Sequence, residues 1–384
     1  GAGTGKTKTL ISRTTYLLDT GVDPSNILLI TFTKKAAKEM CERINLALSG
    51  RGGNNITATT FHSLCANEVR KYAGFVGYQN NFEVLSSSDA TQIMNMCRNP
   101  IRDKYLNQKI DLIMRDCAEK HLSDKETTKK LKGVKLEGFP TSAQLIAMNS
   151  DSINSNISLE SAVKDYFLDN AEGRFKLDQT YIPDAVDMIR AFGKYKVQHN
   201  MMDFDDLLAA FFYLLSTQES IRASLDHHFA YIMCDEYQDT NIIQDYILML
   251  LSRDVGNLCV VGDDNQSIYK FRGAKIGNIL DVEKRYPGSK TVKLIQNYRS
   301  TQEILDVSNA VMDYAKEGIP KKLIGQSHGE KPELRQYRTS YDESTDIAKQ
   351  IKDMLDSGMP PKEIAVIARN SNQTFALEKT LRQL

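Results

Sequence analysis

The sequence predicts an α/β protein with parallel sheets, a helical segment inserted into its first sheet, and a second α/β region that is incomplete. Three observations carry this. A glycine-rich loop, Gly1-Ala2-Gly3-Thr4-Gly5-Lys6-Thr7, runs into an apolar helical pattern over Lys6 to Leu18. Short β-branched apolar runs alternate with helical stretches, the rhythm of buried parallel strands joined by helices. Residues from about 70 to 200 break that rhythm, being polar, helix-patterned and poor in strand signals.

The loop fits the phosphate-binding pattern G-x-x-x-x-G-K-[ST], whose first glycine and leading strand would precede Gly1. Glycines let backbone N–H groups turn inward around phosphate oxygens, and the next helix points its positive end at the same anion. Lys6 is placed to reach the β- and γ-phosphates of a nucleoside triphosphate, and Thr7 to hold Mg²⁺. The strands expected next are Asn26–Phe32, Ile56–His62, Tyr231–Glu236 and Asn257–Asp263, with ligands at their carboxyl ends. From about Pro287 a second α/β pattern begins, with strands expected at Lys290–Gln296, Glu333–Tyr337 and Ile364–Arg369. This divides the chain into a first domain of 1–70 and 200–286, a helical subdomain of 71–199, and the opening part of another domain at 287–384.

Bulk composition narrows the class. At 384 residues the chain is long enough for roughly two or three domains of ~150 residues. Its apolar content of 41% is ordinary for a globular protein, and no run approaches the ~18 apolar residues of a membrane span. The six cysteines show no C-x-x-C spacing and read as reduced, small hydrophobes of a cytosolic protein rather than a zinc or iron–sulfur site. Charge balances at 49 basic and 49 acidic residues, so nothing global announces a polyanion partner. Between Arg98 and Lys135, however, eleven bases face six acids, either a solvated helical surface or a phosphate-facing patch.

Two further stretches carry chemistry. Tyr231–Thr240 is an apolar strand ending in Asp235-Glu236, the pattern in which the first acid holds Mg²⁺ and the second polarises an attacking water. Val261–Ala274 follows another strand, which sets Gln266 near the γ-phosphate and extends Tyr269 and Phe271 beyond it. Those rings are either core or, beside basic residues, a stacking platform for bases.

Taken in order, these motifs resemble those of UvrD/Rep/PcrA-type superfamily 1 DNA helicases. Leu29–Met40, Thr57–Leu64, Met202–Leu207, Leu294–Ser300 and Ile364–Asn372 resemble further motifs of that family, and the match runs from Gly1 to Leu384. The resemblance implies tandem RecA-like P-loop domains, ATP and Mg²⁺ as cofactors, and a bacterial cytosolic setting. It implies 3′-to-5′ translocation on single-stranded DNA and unwinding at duplex/single-strand junctions, in replication, repair or recombination. It assigns residues 1–8 from Gly1 to Lys8, with Tyr298 and Arg299, to the nucleotide, Tyr298 stacking on adenine and Arg299 reaching the γ-phosphate. Lys6, Glu236, Gln266 and Arg299 would be catalytic, and Thr7 and Asp235 would hold the metal. Phe32, His62, Phe204, Tyr269 and Phe271 would line the DNA track, while Gln238 and Gln266 would relay the γ-phosphate state toward it. Phe271 stands where the family usually has Trp, and Lys8 where Arg is common; the chain has no Trp at all. The resemblance also places an adenine-reading glutamine motif ahead of Gly1, and further arginine-bearing motifs after Leu384. A helicase–nuclease of the RecB/AddA type, an ATP-gated DNA-binding protein without unwinding, and a P-loop ATPase acting on proteins are the rival readings. Intact Lys6, Asp235, Glu236 and Arg299 weigh against the second, and the aromatic set against the third.

Overall fold

The computed structural model describes residues 1–48, 55–172, 176–268, 275–315 and 317–383. Its strands are, in chain order, β1 (Ile27–Thr31), β2 (Thr57–Thr60), β3 (Glu83–Val84), β4 (Met201–Met202), β5 (Tyr231–Cys234), β6 (Leu258–Val260), β7 (Gln296–Asn297) and β8 (Ile324–Gly325). The main sheet is parallel throughout, in the order β2-β1-β5-β6. The four strands expected in the first domain are all present, three shortened at both ends and β5 at its carboxyl end only.

Strand alternation explains why β1 is apolar at nearly every position. Ile27 and Leu29 face one side of the sheet, Leu28 and Ile30 the other, and all four are at most 1% exposed. On the first side they meet Leu10 and Leu17 of α1 (Lys6–Asp19) and Met40 and Ile44 of α2 (Lys34–Ala47). On the second they join a core with Phe61 and Leu64 of α3 (Phe61–Lys71), which also takes in helices from farther along the chain. The result is a three-layer α/β/α unit in which the central strand β1 is covered on both faces.

The two-residue pair β3–β4 is parallel, and Leu85 N–H donates to the Met202 carbonyl at 2.8 Å. It closes the neck of the helical segment, which comprises α4 (Ser87–Glu119), α5 (Asp124–Leu131), α6 (Ser142–Asn154), α7 (Leu159–Asp169) and α8 (Ile182–Gln198). These helices bury a core of their own around Met94, Leu145, Met148, Phe167 and Phe192. The chain then returns through α9 (Phe204–Thr217), α10 (Glu219–His228) and α11 (Ile242–Leu251), with Phe211, Leu225 and Leu248 packing into the core under the sheet.

Residues Gly1–Ser300 and Asn309–Gln326 form one compact unit; Thr301–Ser308 and Ser327–Leu384 form a second. In the second, helices Ser340–Asp356 and Phe375–Leu381 pack together, burying Ala348 and Leu377. Two strands expected there do not form: residues 333–337 and 364–369 make no ladder. Leu334 is 100% and Ile367 95% exposed, so the apolar pattern has neither a neighbouring strand nor a covering face. The expected strand 290–296 pairs only at its end, where β7 meets β8.

Candidate functional site

The loop ahead of α1 is shaped for an anion. Gly3 and Gly5 adopt φ of 66° and 85°, a region that favours glycine. Gly5 caps α1 without a side-chain hydrogen bond, and the first turn carries no acid. By contrast α4, α6, α9 and α11 each open with a reciprocal capping box. The first N–H groups of α1 are therefore uncapped by side chains, and its positive end is uncompensated. Thr4 is buried and stiffens the loop, its hydroxyl donating to the Gly1 carbonyl at 2.7 Å.

The β5 edge supplies the acids. Asp235 N–H continues the ladder to the Ile30 carbonyl, so its side chain emerges at the carboxyl end of the sheet beside α1. The Thr7 hydroxyl donates to Asp235 Oδ2 at 3.2 Å, and Lys6 Nζ lies 3.4 Å from Glu236 Oε2. Glu236 holds φ of 50°, a left-handed conformation uncommon outside glycine and a form of strain that clusters at functional sites. Burial, then the neighbouring Glu236 charge, raises the Asp235 pKa; Thr7 and Lys6 oppose this. Asp239 is pushed up to about 6 by burial and by Glu236, and its Oδ1 is buried without a partner.

Gln238 joins this group to the β6 edge. Its Nε2 donates to Glu236 Oε2 at 2.9 Å, and its Oε1 accepts from Asp263 N–H at 2.8 Å. Gln266 Nε2 donates to Asp263 Oδ2 at 2.5 Å, so both glutamines converge on one acid. Burial raises the Asp263 pKa, but Gln266 and Lys321 together outweigh it and hold the carboxyl below its usual value. Lys321 Nζ lies 2.7 Å from Asp263 Oδ1 and also pairs with Asp264.

Tyr298 and Arg299 flank the same loop. Asn297, 1% exposed, donates through Nδ2 to the Ala2 carbonyl at 2.6 Å, while its Oδ1 accepts the N–H groups of Arg299 and Ser300. Tyr298 N–H donates to the Gly3 carbonyl at 2.9 Å. A Cβ on Gly3 would come within 2.7 Å of Arg299 Cβ, a second reason for glycine there. The Tyr298 ring and Arg299 are exposed, as is Lys8 in the first turn of α1.

The aromatic set is partly assembled along the same sheet edge. Phe32 follows β1, His62 sits at the start of α3 after β2, and Phe204 opens α9. His62 and Phe204 meet edge-to-face with centroids 5.3 Å apart. Burial lowers the His62 pKa against the nearby Asp205 charge, favouring a neutral ring. Phe32 and Phe204 are 38% and 49% exposed, which fits a binding surface better than a core. Tyr269 and Phe271 lie outside the described residues. In the basic stretch, Arg98 donates to the Pro140 carbonyl and covers the Phe139 ring, while Lys120 and Lys130 pair with Asp116. Part of its charge is thus spent internally. All six cysteines are free thiols.

Sequence motifs located the phosphate and acid groups but passed over Asn297, Asp263, Asp239 and Lys321. For Asn297 the signal was adjacency to Tyr298 and Arg299; Asp263 and Asp239 lie within motifs already marked. Lys321 carries no local signal.

The residues present fit a nucleotide phosphate with a divalent cation: an uncapped helix start, one ammonium, and a hydroxyl beside a carboxylate. Among the described residues no three His, Cys, Asp or Glu side chains cluster to hold a metal alone. Thr7 and Asp235 would then supply the protein ligands, with phosphate oxygens and water completing the shell, the usual Mg²⁺ arrangement.

Comparison with known proteins agrees with this geometry. Residues 1–287 match the UvrD/REP helicase N-terminal domain, and residues 292–384 the UvrD-like helicase C-terminal domain. The chain is 33% identical over 383 residues to a protein of Staphylococcus epidermidis named ATP-dependent DNA helicase PcrA. It is 32% identical over 382 residues to the protein of that name from Staphylococcus aureus. Each match covers 99% of this chain and 46% of the relative, so the chain spans about half their length. With both domain models matched in order and the phosphate loop, paired acids and aromatic edge in place, the chain belongs to the UvrD/Rep helicase family.

Proposed function

We propose that this chain is the ATP-binding and DNA-gripping part of an ATP-dependent, 3′-to-5′ single-stranded DNA translocase and helicase. One observation carries the reading. Asp235 and Glu236, Phe32 and His62 follow the carboxyl ends of strands of one parallel sheet, Lys6 and Thr7 meet the acids there and Phe204 packs on His62, while Gln238 hydrogen-bonds both Glu236 and the segment after β6.

In this reading Lys6 neutralises the β- and γ-phosphates, Thr7 and Asp235 hold Mg²⁺, and Glu236 orients and deprotonates water. Lys6 Nζ lies 3.4 Å from Glu236 Oε2, so the ammonium and the water-activating carboxylate stand side by side. Lys6 leaves Glu236 to meet phosphate oxygens, which frees the carboxylate for water. Gln266 and Arg299 act on the γ-phosphate, Tyr298 on the base, and Lys8 adds charge at the loop. His62, Phe204, Phe32, Tyr269 and Phe271 stack on bases without reading their identity. The parts follow the division 1–70 with 200–286, 71–199 and 287–384. The substrates are single-stranded DNA and duplex/single-strand junctions, in a cytoplasmic setting, for replication, repair or recombination. Among the described residues no helix is long and apolar enough to cross a membrane.

The test is steady-state ATP hydrolysis by the complete protein with and without single-stranded DNA. Glu236→Gln should still bind ATP while turnover falls roughly 10²–10⁴-fold, the usual worth of a general base. Lys6→Ala should abolish turnover. Normal hydrolysis by Glu236→Gln would overturn the general-base assignment, and DNA-independent turnover by the unaltered protein would overturn the translocase reading.

A further inference from the structure

The acid segment and the ring pair are also joined by a buried amide in the helical insertion. Asn154, the last residue of α6, is 5% exposed. Its Nδ2 donates to Asp205 Oδ1 at 3.0 Å and to Ser150 Oγ at 2.9 Å. Its Oδ1 accepts from Asn241 Nδ2 at 2.6 Å. The orientation of the amide follows from its partners, since an ionised Asp205 can only accept. Neighbouring Ile153 packs against the core beneath the sheet, which anchors the end of α6.

Each end of this bridge holds an element of the proposed site. Asn241 directly follows the Asp235–Thr240 segment and caps α11, its Oδ1 accepting from Gln244 N–H at 2.8 Å. Its carbonyl accepts from Asn278 Nδ2 at 3.1 Å, so the turn after the acids is fixed on two sides. Asp205 lies in the first turn of α9, next to Phe204, and its charge acts on His62. A single buried side chain thus touches the acid segment's exit and the base of the ring pair. Fully satisfied buried polar groups of this kind fix relative positions, because breaking any one bond strands a polar atom without water.

We propose that Asn154 is a positioning residue that couples DNA contact at Phe204–His62 to ATP turnover at Asp235–Glu236. The inference rests on the proposed DNA-stimulated ATPase. Displacement of α9 by a base against Phe204 is passed through Asp205 and Asn154 to Asn241, and so to the turn that sets Glu236 and Gln238.

The experiment measures turnover of the complete protein without DNA and with saturating polythymidine oligonucleotide, alongside the thermal midpoint. Asn154→Leu removes all three side-chain hydrogen bonds while keeping the branched heavy-atom shape. Asn154→Asp keeps the acceptor for Asn241 but sets a carboxylate against Asp205. Both should keep basal turnover within about twofold, while the stimulation factor falls about tenfold, mid-range for coupling between sites. Adding Asp205→Asn to Asn154→Asp restores a donor–acceptor pair in reverse and should recover stimulation. A lowered thermal midpoint with unchanged stimulation would overturn the proposal, leaving Asn154 merely structural. If neither substitution at Asn154 gives folded protein, Ser150→Ala weakens the same bridge at its half-buried rim, and unchanged stimulation there also overturns it. Absence of stimulation in the unaltered protein would overturn the parent reading as well, whereas equal stimulation of all forms overturns this one alone.

Discussion

Asp239 illustrates what one side chain at the phosphate edge does to the molecule. Its pKa is raised to about 6, by burial first and the Glu236 charge second. Between roughly pH 4 and 6 the folded state therefore keeps a proton that the unfolded chain has released. The contribution of Asp239 to stability therefore falls as pH rises through that window and levels off above it. Asp239→Asn should make the pH dependence between pH 4 and 6 less negative, checked by thermal midpoints from pH 4 to 8; an unchanged profile would assign it to other carboxyls, Asp206 among them. Phe204 makes a separate prediction. Its ring is half exposed, so Phe204→Ala should leave the midpoint nearly unchanged while weakening single-stranded DNA binding by about 1–3 kcal/mol, the range for one lost base stack. A large drop in midpoint with unaltered DNA affinity would make the ring core instead. That Lys6, Thr7, Asp235 and Glu236 serve one nucleotide was expected from the sequence because the two motifs carry complementary chemistry, whereas the direct contacts Lys6–Glu236 and Thr7–Asp235 are seen only in the structure. Asn154 and Lys321 were not expected, because their partners lie 51 and 57 positions away and nothing local marks them.

At the level of elements, the start of α9 depends on charges from α8. Lys196 is 1% exposed and lies 2.5 Å from Asp203 Oδ2 and 2.6 Å from Asp206 Oδ2. Those acids form the capping box of α9: Asp206 N–H donates to Asp203, and Asp203 N–H to Asp206. Phe204 sits between them, so the ammonium, the cap and the exposed ring are one construction. Lys196→Met would leave two neighbouring carboxylates without their counter-charge. The expected loss is about 3–5 kcal/mol, the range for breaking a buried ion pair from one side. Urea unfolding checks it, and adding Asp206→Asn should recover part of the loss; a change below ~1 kcal/mol would show that water reaches these acids. The strands of the main sheet were legible as elements because burial on both faces forces continuous apolar runs. Residues 333–337 and 364–369 show the limit of that signal. An apolar run becomes a strand only beside a partner, and the pattern alone does not say whether one is there.

At the scale of the molecule, the sheet has one edge that the described residues leave uncovered. β6 pairs with β5 on one side only, and a cavity of about 870 Å³ runs along the other. Leu258 and Val260 line it with Ile279, Val292 and Leu294, and Gly1 and Lys6 stand on its wall. An apolar slot beside an unpaired strand edge, next to the loop that would hold phosphate, can admit a further parallel strand. Unpaired strand groups that are only half shielded weaken a sheet, and the loop is held by α1 and by the Asn297 and Tyr298 contacts rather than by a strand. A chain carrying a short β-branched segment ahead of Gly1 should seat it in this slot. Amide exchange at Leu258–Val260 should slow, the unfolding midpoint should rise, and the phosphate loop should gain a fixed entry. ATP turnover by residues 1–384 should rise when such a segment is added. Equal turnover and equal exchange with and without the added segment would show that the cavity plays no part in completing the site.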